Sequence, residues 1–252
     1  MYTLKKSLGQ HFLRDVNICR RIAEEVASTR PQQLLEVGPG AGAITSLFLE
    51  WKDVEFRAVE LDHEKVEYLE RVFPSIRGKV IEGSILDVPC PFEGRFTLVG
   101  NFPYNISSQI LFRILEWRDQ VEVSVGMFQK EVAVRVASGP GNKDYGILSV
   151  LVQAFFKVEY LFDVSEGSFD PPPKVKSGVI RLTDLGDPWK VGKDYPRLLR
   201  LVAPQCPPPP GPGGVRLWPR STHRAPARGV TFRSARRPGS SSQRRRCPAV
   251  GT

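Results

Sequence analysis

Apolar positions recur at intervals of three and four between Asp15 and Ala27, so Val16, Cys19, Ile22, Ala23 and Val26 share one face of a predicted helix. The short apolar run Gln33-Leu34-Leu35-Glu36-Val37 follows and ends at Gly38, which reads as a strand. The pattern then predicts a helix over Ala43 to Trp51, a strand over Glu55 to Glu60, and a helix from His63 to Phe73 that Pro74 stops. Strands over Lys79 to Glu82 and Phe96 to Gly100, a helix from Ser107 to Trp117, and a strand over Glu122 to Phe128 continue the alternation. Strand–helix repetition of this kind predicts a mainly parallel sheet with helices on both faces.

Beyond residue 128 the pattern changes. A helix over Gln129 to Ala137, a Gly/Pro/Asn loop from Ser138 to Lys143 and an apolar stretch from Ile147 to Phe156 precede two further strands, Val158 to Val164 and Gly178 to Leu182. The loop between those strands carries Pro171-Pro172-Pro173 and no helix, which suits an antiparallel pair at the sheet edge. Seven strands in one α/β domain, residues 1–185, are expected.

Composition adds a contrast between body and tail. The 252 residues hold 36 Lys+Arg against 27 Asp+Glu, a formal charge of +9. Ten of the arginines, and no Lys, Asp or Glu, fall in 203–252, which leaves 26 basic and 27 acidic residues in 1–202, a net of −1. The same fifty residues hold ten of the 22 prolines and six of the 22 glycines, the composition of a disordered segment. Before them, residues 186–202 read as a linker and the start of a helix, with Leu198, Leu199 and Val202 on one side; Ala203-Pro204 breaks it. Arg, Pro, Gly and Ala all have codons beginning with two G or C bases, so the tail suits a frameshifted reading that replaces a helical domain. The other reading is an Arg-rich arm that contacts RNA phosphates.

Several classes are set aside. No apolar run reaches the roughly 18 residues needed to span a bilayer. No apolar segment follows the basic pair Lys5-Lys6, so a secretory signal is not expected. The cysteines, at 19, 90, 206 and 247, show neither metal spacing nor a disulfide framework. The expectation is a cytoplasmic, monomeric protein with no metal and no membrane partner.

Two motifs carry chemistry. Glu36-Val-Gly38-Pro-Gly40-Ala-Gly42 joins a strand to a helix, where glycines let a ligand approach the backbone and the helix start offers unpaired amides. Glu60, at the end of the next strand, can accept hydrogen bonds from both hydroxyls of a ribose. This pair suits either NAD or S-adenosylmethionine. The second motif, Asn101-Phe102-Pro103-Tyr104-Asn105-Ile106-Ser107, stands at the carboxyl end of the fourth predicted strand, where parallel sheets bind ligands. Amide groups, a rigid carbonyl and an aromatic face are what a planar base with an exocyclic amine needs. Methyl transfer from a sulfonium to such an amine is catalysis by positioning and requires no strong base. A nicotinamide dehydrogenase would have no task for this motif.

At these residues the chain resembles the ribosomal RNA adenine N6-dimethyltransferases of the KsgA type. The resemblance spans roughly residues 1–183 in five ordered motifs. These are Lys5 to Leu13, Glu36 to Gly42, Glu60-Leu61-Asp62, Asn101 to Ser107, and Phe169 to Ser177. It implies a Rossmann-like class I S-adenosylmethionine-dependent methyltransferase fold over 1–185. It further implies that His11 and Leu13 contact the cofactor, that Gly38 and Gly40 approach its methionine part with Glu36 close by, and that Glu60 binds the ribose. Asn101 and the backbone at Phe102 and Pro103 would hold the target N6, while Tyr104 and Phe169 would sandwich the adenine. One departure lies at Ser84, where the family usually carries an Asp that accepts from the cofactor's adenine amine. A serine there weakens that contact by about 1–2 kcal/mol.

The resemblance implies dimethylation of two adjacent adenosines in a hairpin loop near the 3′ end of small-subunit rRNA, on the immature small ribosomal subunit. Two alternatives stay open: a large-subunit rRNA methyltransferase of the antibiotic-resistance type, and a non-catalytic RNA-binding assembly factor. With a body at −1, RNA contact falls to a local patch that includes Lys5, Lys6, Lys174 and Lys176.

Overall fold

The computed structural model describes residues 11–186. Expectations for residues 1–10, for the linker to 202 and for the tail 203–252 lie outside the described residues. The elements run β1 (Phe12–Leu13), α1 (Val16–Ala27), β2 (Gln33–Val37), α2 (Thr45–Phe48), β3 (Glu55–Glu60), α3 (His63–Val72) and β4 (Val80–Glu82). Then come β5 (Phe96–Asn101), α4 (Ser107–Glu116), β6 (Val121–Gln129), α5 (Lys130–Ala137), α6 (Ile147–Gln153), β7 (Phe156–Val164), β8 (Phe169–Asp170) and β9 (Ser177–Asp184).

Local chemistry accounts for the helix starts. The Asp15 carboxylate accepts from the amides of Asn17 and Ile18 at 3.0 and 3.3 Å, capping α1, and Asp62 caps α3 by accepting from the Glu64 amide. Cys19, Ile22, Ala23 and Val26 are buried as the periodicity predicts, whereas Val16, in the first turn, is 56% exposed.

Seven strands form one sheet in the order β4-β3-β2-β5-β6-β9-β7. The first five are parallel; β9 runs antiparallel to both β6 and β7, so the expected antiparallel pair does close one edge. Alternation along the strands divides the core by face. Leu35, Val37 and Leu98 join Ile110, Leu111 and Ile114 of α4, while Leu34, Ala58 and Val99 join Ile22 and Val26 of α1.

Two features differ from the sequence-based expectation. The helix predicted over 43–51 contracts to α2, which follows a turn with φ of +67°, +57° and +82° at Gly38, Gly40 and Gly42. Bonds from Leu47 N to the Ile44 carbonyl and from Trp51 N to the Phe48 carbonyl tighten its flanks into 3-10 turns. The second feature is a separate two-stranded ribbon in which β1 pairs with β8, Leu13 opposite Phe169. Strands of two residues carry no periodicity. Among the described residues no helix is long and apolar enough to cross a membrane.

Candidate active site

Strand order reverses at β2 and β5: β3 and β4 continue to one side of β2, and β6 to the other side of β5. At such a switch point the carboxyl ends of the two central strands open a crevice. Register places Glu36 beside Val99, so the glycine loop after β2 and the Asn101 motif after β5 leave the sheet side by side. His11, Leu13, Glu36, Gly38, Gly40, Glu60, Ser84, Asn101, Pro103 and Tyr104 all line the one cavity formed there.

The glycine loop is shaped by contact as well as by turn. A Cβ on Gly40 would stand 2.8 Å from Cε1 of Phe12, so β1 closes directly over the loop. Phe102 is buried beneath the motif at the end of β5, and its ring fills the space that side chains at Gly100 and Gly126 would take. Its amide donates to the Met127 carbonyl at 3.1 Å. Asn101 and Pro103 on either side are thereby presented to the crevice.

Two carboxyls sit under the loop. Glu60 accepts from the Gly40 amide at 3.1 Å and from the Asp62 amide at 3.0 Å. Burial raises its pKa, and those two bonds oppose the shift. Glu36 is 2% exposed, and its Oε2 has no hydrogen-bond partner. Burial pushes its carboxyl up to about 8; the adjacent Thr45 hydroxyl lowers it in part and the Glu60 charge raises it further. The Thr45 hydroxyl itself meets hydrogen-bond geometry with no group.

The target end is held by bonds between distant segments. Asn101 Nδ2 donates to the His11 carbonyl at 2.9 Å, and His11 Nδ1 lies 2.9 Å from the Pro171 carbonyl. A carbonyl can only accept, so His11 carries its proton on Nδ1 and Asn101 has its amide nitrogen toward His11. Tyr104 meets the Ser177 hydroxyl at 2.5 Å, and its ring lies 5.6 Å from that of His11 with 30° between planes. Burial raises the Tyr104 pKa; the Ser177 bond lowers it and the Glu166 charge raises it. The phenol stays neutral and offers a face.

Phe169 is the expected site residue that the structure does not bring to this cavity. It is 1% exposed and packs in the core with Leu13, Ile22 and Val164. Its place in β8, directly opposite Leu13, turns the ring inward. Ser84 does line the cavity, and its hydroxyl accepts from the Leu86 amide at 3.1 Å. Phe12 and Leu61 also line it and were not among the expected residues. Leu61 is 55% exposed directly after Glu60, and a single apolar residue there gives no signal in the sequence, since isolated exposed apolar side chains are ordinary. Among the described residues no cluster of His, Cys, Asp and Glu could hold a metal ion.

Known proteins of similar sequence and structure bear on this site. The family model for ribosomal RNA adenine dimethylase matches residues 1–204. A Parabacteroides distasonis protein named ribosomal RNA small subunit methyltransferase A is 52% identical over 181 residues, 71% of this chain and 68% of the relative. A Bacteroides thetaiotaomicron protein of the same name is 53% identical over 182 residues, again 71% and 68%. Among solved structures, a dimethyladenosine transferase from Plasmodium falciparum aligns with TM-score 0.62 at 27% identity, over 73% of this chain and 67% of that one. The 23S rRNA methyltransferase ErmE aligns with TM-score 0.63 at 27% identity, over 76% of each chain.

Proposed function

The chain belongs to the ribosomal RNA adenine dimethylase family, and from that premise we propose its reaction: transfer of methyl groups from S-adenosyl-L-methionine to N6 of two adjacent adenosines. The substrate is a hairpin loop near the 3′ end of small-subunit rRNA, on the immature small ribosomal subunit. One observation carries this reading. The glycine loop and the Asn101-Phe102-Pro103-Tyr104 motif open into the same cavity at the switch point of the sheet, so a donor and a base can meet there. Identity of 51–53% to proteins named for the small subunit, against 27% to a 23S enzyme, supports the small-subunit target over the large.

The residues present fit the donor. An enclosed carboxyl, Glu36, lines the cavity beside the glycine loop and suits a ligand that carries cationic groups. Gly38 and Gly40 let the backbone approach it, and Glu60, Leu61 and Ser84 line the cavity for a ribose and a purine. Leu13, in β1, and His11, directly before it, cover it. The bound donor supplies an electrophilic sulfonium methyl.

The chain's own residues supply alignment. With Asn101 Nδ2 committed to the His11 carbonyl, Oδ1 is the atom left to accept from an exocyclic amine. Of the backbone at Phe102 and Pro103, the Phe102 carbonyl is the one that accepts from the second amine hydrogen, since that of Pro103 already accepts from the Ile106 amide at 3.3 Å. Together they turn the nitrogen lone pair toward the methyl, and Tyr104 supports the base from one face. The amine nitrogen becomes strongly acidic once methylated, so its proton passes to water without a dedicated base.

Incubation of the full chain with radiolabelled S-adenosylmethionine and small subunits from a strain lacking the modification tests this. Label in N6,N6-dimethyladenosine of small-subunit rRNA is expected, and Asn101→Ala should abolish most of it. Label confined to large subunits would favour the antibiotic-resistance type; RNA binding without transfer would favour a non-catalytic assembly factor.

A further inference from the structure

Lys65, in the first turn of α3, has no solvent exposure. Two costs attach to an ammonium there. Burial strips it of water, and the start of a helix already carries partial positive charge. Packing alone does not call for a cation, since Val66 and Leu69 already bury this side of α3 and a methionine would fill a similar volume. From β1 the ammonium meets the ring of Phe12, whose centre lies 4.8 Å away. A desolvated cation over an aromatic face is among the stronger contacts of its kind.

β1 spans two residues, too few to hold it in place by its pairing with β8. Side chains anchor this run to a different element at each position. His11 reaches the Pro171 carbonyl while its own carbonyl takes the Asn101 amide, and Leu13 enters the core. Phe12 lines the cavity and sets its edge, Cε1 and Cδ1, against Gly40, while its face meets Lys65. We propose that Lys65 is a positioning residue of the donor subsite: its ammonium holds the face of Phe12 and so keeps β1 seated over the glycine loop. The inference rests on the donor reading above. Target alignment is held separately, by the bond from Asn101 to the His11 carbonyl. Loss of the ammonium therefore weakens the donor and leaves the base in place. As fewer chains hold β1 seated, the apparent donor Kd rises by the same factor.

Calorimetric titration of S-adenosylmethionine into the full chain, beside steady-state transfer to small subunits, tests this. Lys65→Met keeps the stem and removes the charge. Its donor Kd should rise about ten-fold, with kcat at saturating donor and the KM for RNA within about two-fold of wild type. Lys65→Leu, run alongside, reads the same loss through a different neutral side chain. Phe12→Leu keeps apolar bulk but offers no face, and should also raise the Kd about ten-fold. Because Lys65 acts through that ring, the Lys65→Met/Phe12→Leu double variant should lose no more than Phe12→Leu alone. An unchanged Kd in both Lys65 variants, a loss that falls on kcat instead, or single losses that multiply to about 100-fold in the double variant overturns the proposal while the donor reading stands. Absence of donor binding by the wild type overturns both.

Discussion

Asn101, at the end of β5, donates its side-chain amide to the backbone carbonyl of His11, a residue 90 positions earlier in the chain. The bond fixes which end of the amide faces the cavity. Because it uses the His11 backbone, His11→Ala should leave Asn101 oriented and lower transfer by less than ten-fold. Asn101→Ala removes the acceptor itself and should lower it about 100-fold, comparable to loss of a positioned hydrogen-bonding group elsewhere. Single-turnover transfer rates at saturating donor compare the two; equal losses would mean that the imidazole, not the carbonyl, does the orienting.

Tyr104 has two separable parts. Tyr104→Phe keeps the face but strands the buried Ser177 hydroxyl, at a cost of about 1–2 kcal/mol in denaturant unfolding, with the transfer rate within ten-fold of wild type. Tyr104→Ala removes the stacking surface and should raise the KM for RNA about 10- to 100-fold. A Phe variant as impaired as Ala would assign the function to the hydroxyl.

Phe169 distinguishes packing from recognition. Its burial predicts that Phe169→Ala loses about 3–5 kcal/mol of stability and that Phe169→Leu, which refills most of the space, retains transfer. A Phe169→Leu protein that is stable yet inactive would show that the ring reaches the base during the reaction, as the family resemblance implies.

Ser84→Asp should tighten donor binding about ten-fold. An aspartate can keep the Leu86 amide bond that the serine hydroxyl makes and add charge at the purine end. Calorimetry on the two proteins reads the difference directly, and an unchanged Kd would remove Ser84 from the purine contact.

Glu36 has a signature in unfolding. Its folded value, about 8, exceeds the ordinary ~4.3 of the unfolded chain, so between those values the folded state holds a proton the unfolded state has lost. Stability of the ligand-free protein therefore falls as pH rises from about 4.5 to about 8. Glu36→Gln should flatten that fall, gaining on the wild type by roughly 10 °C in Tm between pH 5 and pH 8. Glu60, shifted upward too, leaves a residual slope in the variant.

Most of this fold was legible because its signals are periodic. The α1 face, the five parallel strands and the antiparallel pair each bury a repeating set of side chains. Glu36, Glu60 and Asn101 were legible because polar residues at the carboxyl ends of apolar strands have few structural reasons to be there. The β1–β8 ribbon was not, since pairing of two residues with two depends on a register no local pattern encodes. Phe169 shows the same limit in reverse. Its motif names the residue, but its orientation depends on the strand opposite, and Leu13 on that strand draws the ring into the core. The short α2 was misjudged because its flanks tighten into 3-10 turns, which the apolar spacing does not distinguish from an α-helix.

The ribbon also bears on when the protein becomes competent during synthesis. His11 meets Pro171 across 160 residues, and closing a loop of that length costs about 4–5 kcal/mol in chain entropy before any contact repays it. The donor loop and Asn101 are translated long before β8 and β9, yet the wall that joins them waits for both. A nascent chain carrying every residue of the glycine loop therefore still lacks that wall. The ribbon forms only once residues 169–170 are made, and the sheet edge only once residues 177–184 are.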